Sequence, residues 1–368
     1  MKNNLLLSLF TLTCLFSFSQ SYEFETTIDL ETTDVISQGN TGTCWSFSTS
    51  SFLESEITRL TGKYIDLSEM YTVKHTYVDK AWNYVMRQGK AQFSQGGLGH
   101  DVINSMSQYG LVPNNVYTGL SNDEIKHNHS KLADSLKTVV TTYLDDTKAY
   151  PSNWKQDVEH TLDFYLGKDI KTFTYDGKTY TPQSFLEMTT LNPKDYISIT
   201  SFTHKPYYSN FVLNIPDNFS NGDFYNVTLD DLVAVTNHAL QNGFSIELDC
   251  DVSEKTFSSQ HGLAIIPAND TVDALITVSE EKDITPEYRQ QEFENFNTTD
   301  DHLMHITGML KDQNGTTYYK VKNSWGKKGV RKDGYIYMSE AYFKLKTISI
   351  LIHKDAMPNA IKTKLLVH

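Results

Sequence analysis

Helical and extended periodicities are segregated along this chain. Cys44 to Leu60 carries Phe52, Leu53, Ile57 and Leu60 on one face of a 3.6-residue repeat and stops at Gly62. Leu67 to Tyr84 and His100 to Tyr109 read as further helices, the second closed by Gly110 with Pro113 beyond it. Residues 121–165 keep the helical period through Ile125, Leu132, Leu136, Val139 and Leu144. From Lys171 the period changes. Thr172 to Tyr175, the turn Asp176-Gly177, and Lys178 to Tyr180 form a hairpin pattern. Thr228-Leu229-Asp230-Asp231 opens one more helix, Gly243 closes it, and Phe244 to Cys250 alternates as a strand. Met304 to Lys311 and Thr316 to Lys322 alternate around Asp312-Gln313-Asn314-Gly315, and Gly334 to Met338 follows. Helices early and strands late predict an α+β fold rather than alternating βαβ units.

The 368 residues fit one elaborated domain or two small ones, with no internal repeat or low-complexity segment. A formal charge of −13 argues against a basic nucleic-acid footprint, so no nucleic-acid partner is expected. Three cysteines exclude a disulfide-dense scaffold and a zinc site of four thiolates. Residues 1–19 read as an export signal. Lys2 starts it, Leu5 to Phe18 is mostly apolar or hydroxylic, and Ser17 and Ser19 precede a cut before Gln20. The apolar run is shorter than the roughly 20 residues a membrane-spanning helix needs. Lipidation at Cys14 is disfavoured by Thr13 before it. No other stretch is apolar enough to span, so the mature protein, residues 20–368, is expected to be periplasmic or secreted, with Cys44 and Cys250 both reduced.

Three segments carry chemistry. In Gln38-Gly39-Asn40-Thr41-Gly42-Thr43-Cys44-Trp45, a glycine-bearing loop delivers a cysteine to the first turn of a helix, where free N–H groups and the helix dipole favour a thiolate. Gln38 offers a side-chain amide that, with the Cys44 N–H, would hold an oxyanion. Asp301-His302-Leu303-Met304-His305-Ile306-Thr307-Gly308 places two imidazoles at the start of a strand. In Lys322-Asn323-Ser324-Trp325-Gly326, Asn323 would orient an imidazole and Trp325 would shield that bond from water. Side chains three apart on a strand face opposite ways, so His302 and His305 cannot both reach Cys44.

The order Gln, Cys, His, Asn resembles that of the papain-like cysteine peptidases, and most nearly their bleomycin hydrolase, or aminopeptidase C, branch. The resemblance extends to Leu67-Ser68-Glu69-Met70-Tyr71, Gln95-Gly96-Gly97, Tyr109-Gly110-Leu111-Val112-Pro113, Leu248-Asp249-Cys250-Asp251-Val252, Asp333-Gly334-Tyr335 and Met338-Ser339, and so covers most of residues 34–355. It implies a two-lobed α+β fold, with a helical lobe, a β-barrel-like lobe and an insertion at about 120–230. It also implies a cysteine peptidase, acting as aminopeptidase or endopeptidase on peptides or proteins through a thioester, without a metal or organic cofactor. The family's small residue six positions after its histidine selects His302, since Gly308 is six from His302 and three from His305; His305 is the alternative. The implied catalytic residues are Cys44, His302, Asn323 and Gln38. Gly96 and Gly97 would pair with substrate backbone, and Trp325 would line the same cleft.

The branch is generally intracellular, whereas this chain carries an export pattern. It has no room for a papain-type propeptide between the cut and Gln38. It stops at Leu366-Val367-His368, before the branch's C-terminal arm would be complete, which leaves exopeptidase specificity open, and a poor match around 121–165 in the insertion leaves a homo-oligomer open. A catalytically silent papain-like binding protein and a thioester-using acyltransferase are the alternatives. Cys250 is expected to pack in the core. His127-Asn128-His129 and the acidic pairs Glu280-Glu281 and Asp300-Asp301 read as solvated surface.

Overall fold

The computed structural model describes residues 21–120, 124–146, 153–269 and 273–366. The export segment and Cys14 lie outside the described residues. Ten α-helices are described: α1 Cys44–Thr61, α2 Glu69–Met86, α3 Gly99–Tyr109, α4 Ser130–Asp145, α5 Trp154–Leu166, α6 Pro182–Thr189, α7 Leu229–Gln241, α8 Pro286–Glu294, α9 Glu340–Lys346 and α10 Asn359–Leu365. The first strands are β1 Phe24–Asp29, the hairpin β2 Phe173–Tyr175 and β3 Lys178–Tyr180, then β4 Tyr196–Thr200, β5 Ser209–Val212 and β6 Asp223–Asn226. The rest are β7 Ile246–Cys250, β8 Phe257–Ser258, β9 Leu263–Ala264, β10 His302–Asp312, β11 Thr317–Lys322, β12 Tyr335–Ser339 and β13 Thr347–His353. No described helix is long and apolar enough to cross a membrane.

Helix α1 differs from its expected amphipathic form. Every residue from Cys44 to Ile57 is buried, while Leu60 is 42% exposed. Serine and threonine fill much of its surface because the neighbouring chains approach closely, and their hydroxyls find partners. Ser46 donates to Glu69 O at 2.8 Å and Thr49 to Trp45 O at 2.7 Å. Gly62, left-handed at φ 68°, ends the helix by donating to Thr58 O. Helix α2 starts two residues later than expected. Leu67 bridges to Pro113, and Ser68 caps the helix by accepting from Tyr71 N–H. The segment read as one polar helical stretch is two helices. Leu132, Leu136 and Val140 of α4 and Val158, Leu162 and Leu166 of α5 are buried in the helical core, while Ile125 is exposed.

Eleven strands form one mixed sheet in the order β5-β6-β4-β13-β7-β10-β11-β12-β9-β8, with β1 on β10. This enlarges the expected barrel-like lobe. Strands β4 to β6, from the insertion region, join the main sheet because β13 pairs with β4 on one side and β7 on the other. All seven residues of β13 are buried, as a strand packed on both faces requires. One core holds α1 to α6. A second holds β7, β10 to β13, α7 and α9. The start of β10 lies against α1 where the two cores meet.

Strand β10 changes neighbours at Gly308. Residues 302–306 pair with β7, and residues 308–312 pair with β1. A Cβ at Gly308 would lie 2.2 Å from the Ile28 carbonyl oxygen, which is main chain and cannot swing aside. Gly308→Ala is therefore expected to destabilise the fold by about 1–3 kcal/mol through overpacking. A lower midpoint in chemical denaturation, with unchanged turnover per folded molecule, is the result to look for.

Candidate active site

Successive turns of α1 meet successive residues of β10. The Cys44 sulfur accepts from the Leu303 backbone N–H. Ser48 Oγ donates to Met304 O at 2.5 Å, and Ser51 Oγ is 2.9 Å from His305 Nδ1. The thiol therefore lies beside the residue that follows His302. His302 Nε2 is 2.8 Å from Asn323 Oδ1, which also accepts from Ser324 N–H at 2.7 Å. A carbonyl oxygen only accepts, so Nε2 carries the proton and Nδ1 is the basic nitrogen, on the side of the ring away from Asn323. Trp325 lies against the imidazole, tilted by 31° with ring centroids 4.7 Å apart.

Residues 36–38 run antiparallel to 324–326. Ser37 bridges Trp325, Gln38 N–H donates to Ser324 O, and Gly326 N–H donates to Ile36 O. This pairing sets Gln38 beside the Asn323 segment. Its Oε1 accepts from Ser324 Oγ at 2.6 Å, and Nε2 donates one hydrogen to Thr41 O at 2.7 Å. An amide nitrogen has two hydrogens, so one remains for another acceptor. As the first residue of its helix, Cys44 has no intrahelical acceptor for its N–H. Sequence reasoning did not anticipate Gln95, which ties the glycine segment to the cysteine loop. Its side chain accepts from Gly42 N–H at 2.8 Å and its carbonyl from Trp45 Nε1 at 2.9 Å. Nor did it anticipate Ser324 as the clamp on Gln38.

Electrostatics correct one expectation. The helix start was expected to lower the Cys44 pKa. Instead burial, in the field of Asp300, Asp217 and Asp249, pushes the thiol up to about 12, and the Leu303 N–H only partly offsets this. Burial also pulls His302 down to about 4 despite the Asn323 bond. Each group resists ionising alone. Both therefore rest uncharged, as thiol and imidazole, until a proton passes from one to the other.

His305 faces the other way, as strand alternation predicts. It is fully buried, its Nε2 has no partner among the described residues, and burial with the Lys322 charge keeps it neutral. It lines a cavity of about 490 Å³ with Glu54, Glu69 and Lys322, whose wall also includes Leu303, Asn323 and Ser324. Among the described residues, Glu54, Asp66 and Glu69 are the one carboxylate group compact enough for a metal, with ligand oxygens within 4.8 Å. Lys322 supplies a positive charge there, and burial raises Glu54 to about 7 and Glu69 well above its usual range. The cluster is thus largely neutralised by protons and an ammonium.

Gly96 and Gly97 lie beside Trp45 but do not present an open edge. Gly97 is buried against the Trp45 ring, and the Asp217 carboxylate rests on Gly96. The cause is a loop, residues 213–222, that docks on this face. Cys250 is fully buried opposite His302 in β7, and both it and Cys44 are free thiols. Two surface assignments fail. His129 is 3% exposed because its N–H donates to Asn40 O and packs the 127–129 segment against the cysteine loop. Asp300 and Glu281 are drawn inward, and burial lifts each to about 7, while Glu280 and Asp301 are exposed as expected. Helix α10 packs in the sheet-side core through Ile361 and Leu365, with Lys364 on Asp231 and Tyr208. Val367 and His368 lie outside the described residues.

The profile of the peptidase C1-like family matches residues 90–366. The chain belongs to that family. The matched span takes in Gly96, Gly97, His302, Asn323 and Trp325, and longer alignments reach most of the chain. Aminopeptidase C of Streptococcus thermophilus is 24% identical, over 90% of this chain and 83% of the relative. The mitochondrial cysteine proteinase 1 of Saccharomyces cerevisiae, strain YJM789, is 23% identical, over 93% and 79%. The solved structure of PepW from Lactobacillus rhamnosis superposes with a TM-score of 0.72 at 20% identity, covering 93% of this chain and 84% of that one, which shows the shared fold. The peptidase is thus a papain-like cysteine peptidase with an enlarged sheet.

Proposed function

We propose that this peptidase hydrolyses peptide bonds through a thioester on Cys44, with His302 as acid and base. The observation that carries the reading is the His302–Asn323 bond, which leaves a basic Nδ1 beside the residue whose N–H holds the Cys44 sulfur. Sulfur attacks the carbonyl carbon as its proton passes to Nδ1. The anion on oxygen is held by the second Gln38 amide hydrogen and the Cys44 N–H. The imidazolium then protonates the leaving amine as the C–N bond breaks. Neutral His302 next takes a proton from water, which cleaves the thioester and releases the acid. Trp325 covers the His302–Asn323 bond. The names of the aminopeptidase C relatives support N-terminal peptides as substrates. No observation favours a silent binding protein or an acyltransferase.

Labelling with a peptide electrophile selective for thiols tests this directly. Modification at Cys44 should proceed in step with loss of hydrolysis, and Cys250, fully buried, should stay unlabelled. Hydrolysis that survives complete Cys44 modification would refute the reading.

The pH profile should rise through an acid limb near 4. Below that value His302 is protonated before attack and cannot accept the thiol proton. Asn323 raises the His302 pKa by accepting from the imidazolium. Asn323→Leu keeps the volume and removes that bond, so the limb should move to lower pH. Turnover on the plateau should fall about 100-fold as ring orientation is lost. A limb that moves upward contradicts this assignment.

A further inference from the structure

Residues 127–129 are held to the cysteine loop by main-chain bonds. Asn40 N–H donates to His127 O at 2.9 Å, and His129 N–H donates back to Asn40 O at 3.1 Å. His129 then opens α4, where its carbonyl accepts from Ala133 N–H at 2.9 Å, but its ring does not cap that helix. The residue is buried, and neither Nδ1 nor Nε2 has a partner among the described residues. A neutral imidazole carries one donor and one acceptor, so both polar atoms of this buried side chain are unmet. The ring lines a cavity of about 160 Å³ whose wall also includes His127, Glu124 and Tyr165. The His127 and His129 ring centroids are 6.1 Å apart, with the planes at 75°. Burial lowers the His127 pKa, and the charge of Glu124 opposes that shift. Burial and the neighbouring His127 pull His129 down to about 4, so its ring is neutral and its lone pair is available.

We propose that His127 and His129, with Glu124, form a site for a transition-metal dication of the zinc class that braces the cysteine loop. The inference does not depend on the peptidase mechanism, since none of these residues takes part in it. Neutral imidazole is the commonest metal ligand among side chains, and a carboxylate adds negative charge. Zn–N bonds of about 2.1 Å put two imidazole rings on one ion with centroids roughly 5–6 Å apart, which the observed pair approaches. Three protein ligands leave a fourth position for water. The ion gives the His129 lone pair the partner that the surrounding side chains do not. Through the two Asn40 bonds it also fixes the chain between Gln38 and Cys44. The Glu54, Asp66 and Glu69 group is a poorer host for such an ion. Its donors are all oxygen, and Lys322 already supplies positive charge there.

Calorimetric titration of the whole protein with zinc chloride tests this, in a Cys44→Ala background so that the thiol takes no metal. One ion per chain should bind with a Kd of about 1 μM or below. Magnesium chloride at the same concentrations should give no binding, because magnesium prefers oxygen ligands and keeps its waters. Adding His127→Gln should weaken zinc binding about 100-fold, and adding Glu124→Gln about 10-fold. Glu124 is exposed, so its replacement leaves the fold intact. Adding His129→Phe keeps the bulk of the ring and should abolish binding. Zinc should also raise the unfolding midpoint of the Cys44→Ala parent and leave that of the His129→Phe protein unchanged. Absence of zinc binding by the parent overturns the proposal, as does equal binding of magnesium. Any one of the three added substitutions that folds and binds zinc as the parent does overturns it too, since an ion held by Glu54, Asp66 and Glu69 would bind all of them alike.

Discussion

Replacing Cys44 with alanine is expected to lower kcat by at least about 10⁴-fold, because no other group near His302 can form the thioester. Cys250 cannot substitute. It is fully buried in β7, and its thiol is pushed far up by burial and by Asp249 and Asp251. The variant should fold normally. Alanine keeps the helix start, and Cys44 makes few demands on packing, so a cost of about 1 kcal/mol is expected. The measurement is steady-state hydrolysis beside a denaturation curve. Activity within tenfold of wild type would end the nucleophile assignment.

The second large effect separates the two histidines. His302→Ala removes the group that takes the thiol proton and gives it to the leaving amine, and kcat should drop about 10⁴-fold with little change in substrate binding. His305→Ala should act on stability instead. The ring packs near Phe52, with centroids 6.1 Å apart, and meets Ser51, so its loss leaves a cavity and takes one partner from a hydroxyl that Lys322 Nζ still reaches at 2.8 Å, costing about 2–4 kcal/mol. Turnover per folded molecule should stay within a few-fold. The reverse pattern, with His305→Ala inactive but stable, would exchange the roles.

Much of this arrangement is legible without coordinates because it is local. Gln38 and Cys44 share one short loop. The opposite facing of His302 and His305 follows from the two-residue period of a strand. The hairpin at Asp176-Gly177 follows from its turn residues, and the cap at Thr228 from a side chain reaching its own backbone. Other features carry no such signal. Nothing in Asn214-Ile215-Pro216-Asp217-Asn218 marks it as more than an ordinary surface loop. Its place over Gly96 depends on Asn218 bracing the loop from within and on Ser220 meeting Asp101 across the fold. Helix α1 reads as amphipathic because its serines count as polar, yet they are buried with hydroxyls on neighbouring carbonyls.

Residue order alone determined the chemistry available to this chain: a thiol at a helix start, an imidazole opening a strand, an amide to steer it, and an α+β framework to hold them. Those assignments rest on short-range periodicity and on functional groups whose roles do not change with their surroundings. Only the tertiary structure decided that the thiol and the imidazole are buried and neutral when apart, that the insertion extends the main sheet, and that a carboxylate from residue 217 stands over the cleft. Desolvation and long-range contact set these outcomes, and both depend on which surfaces the folded chain brings together.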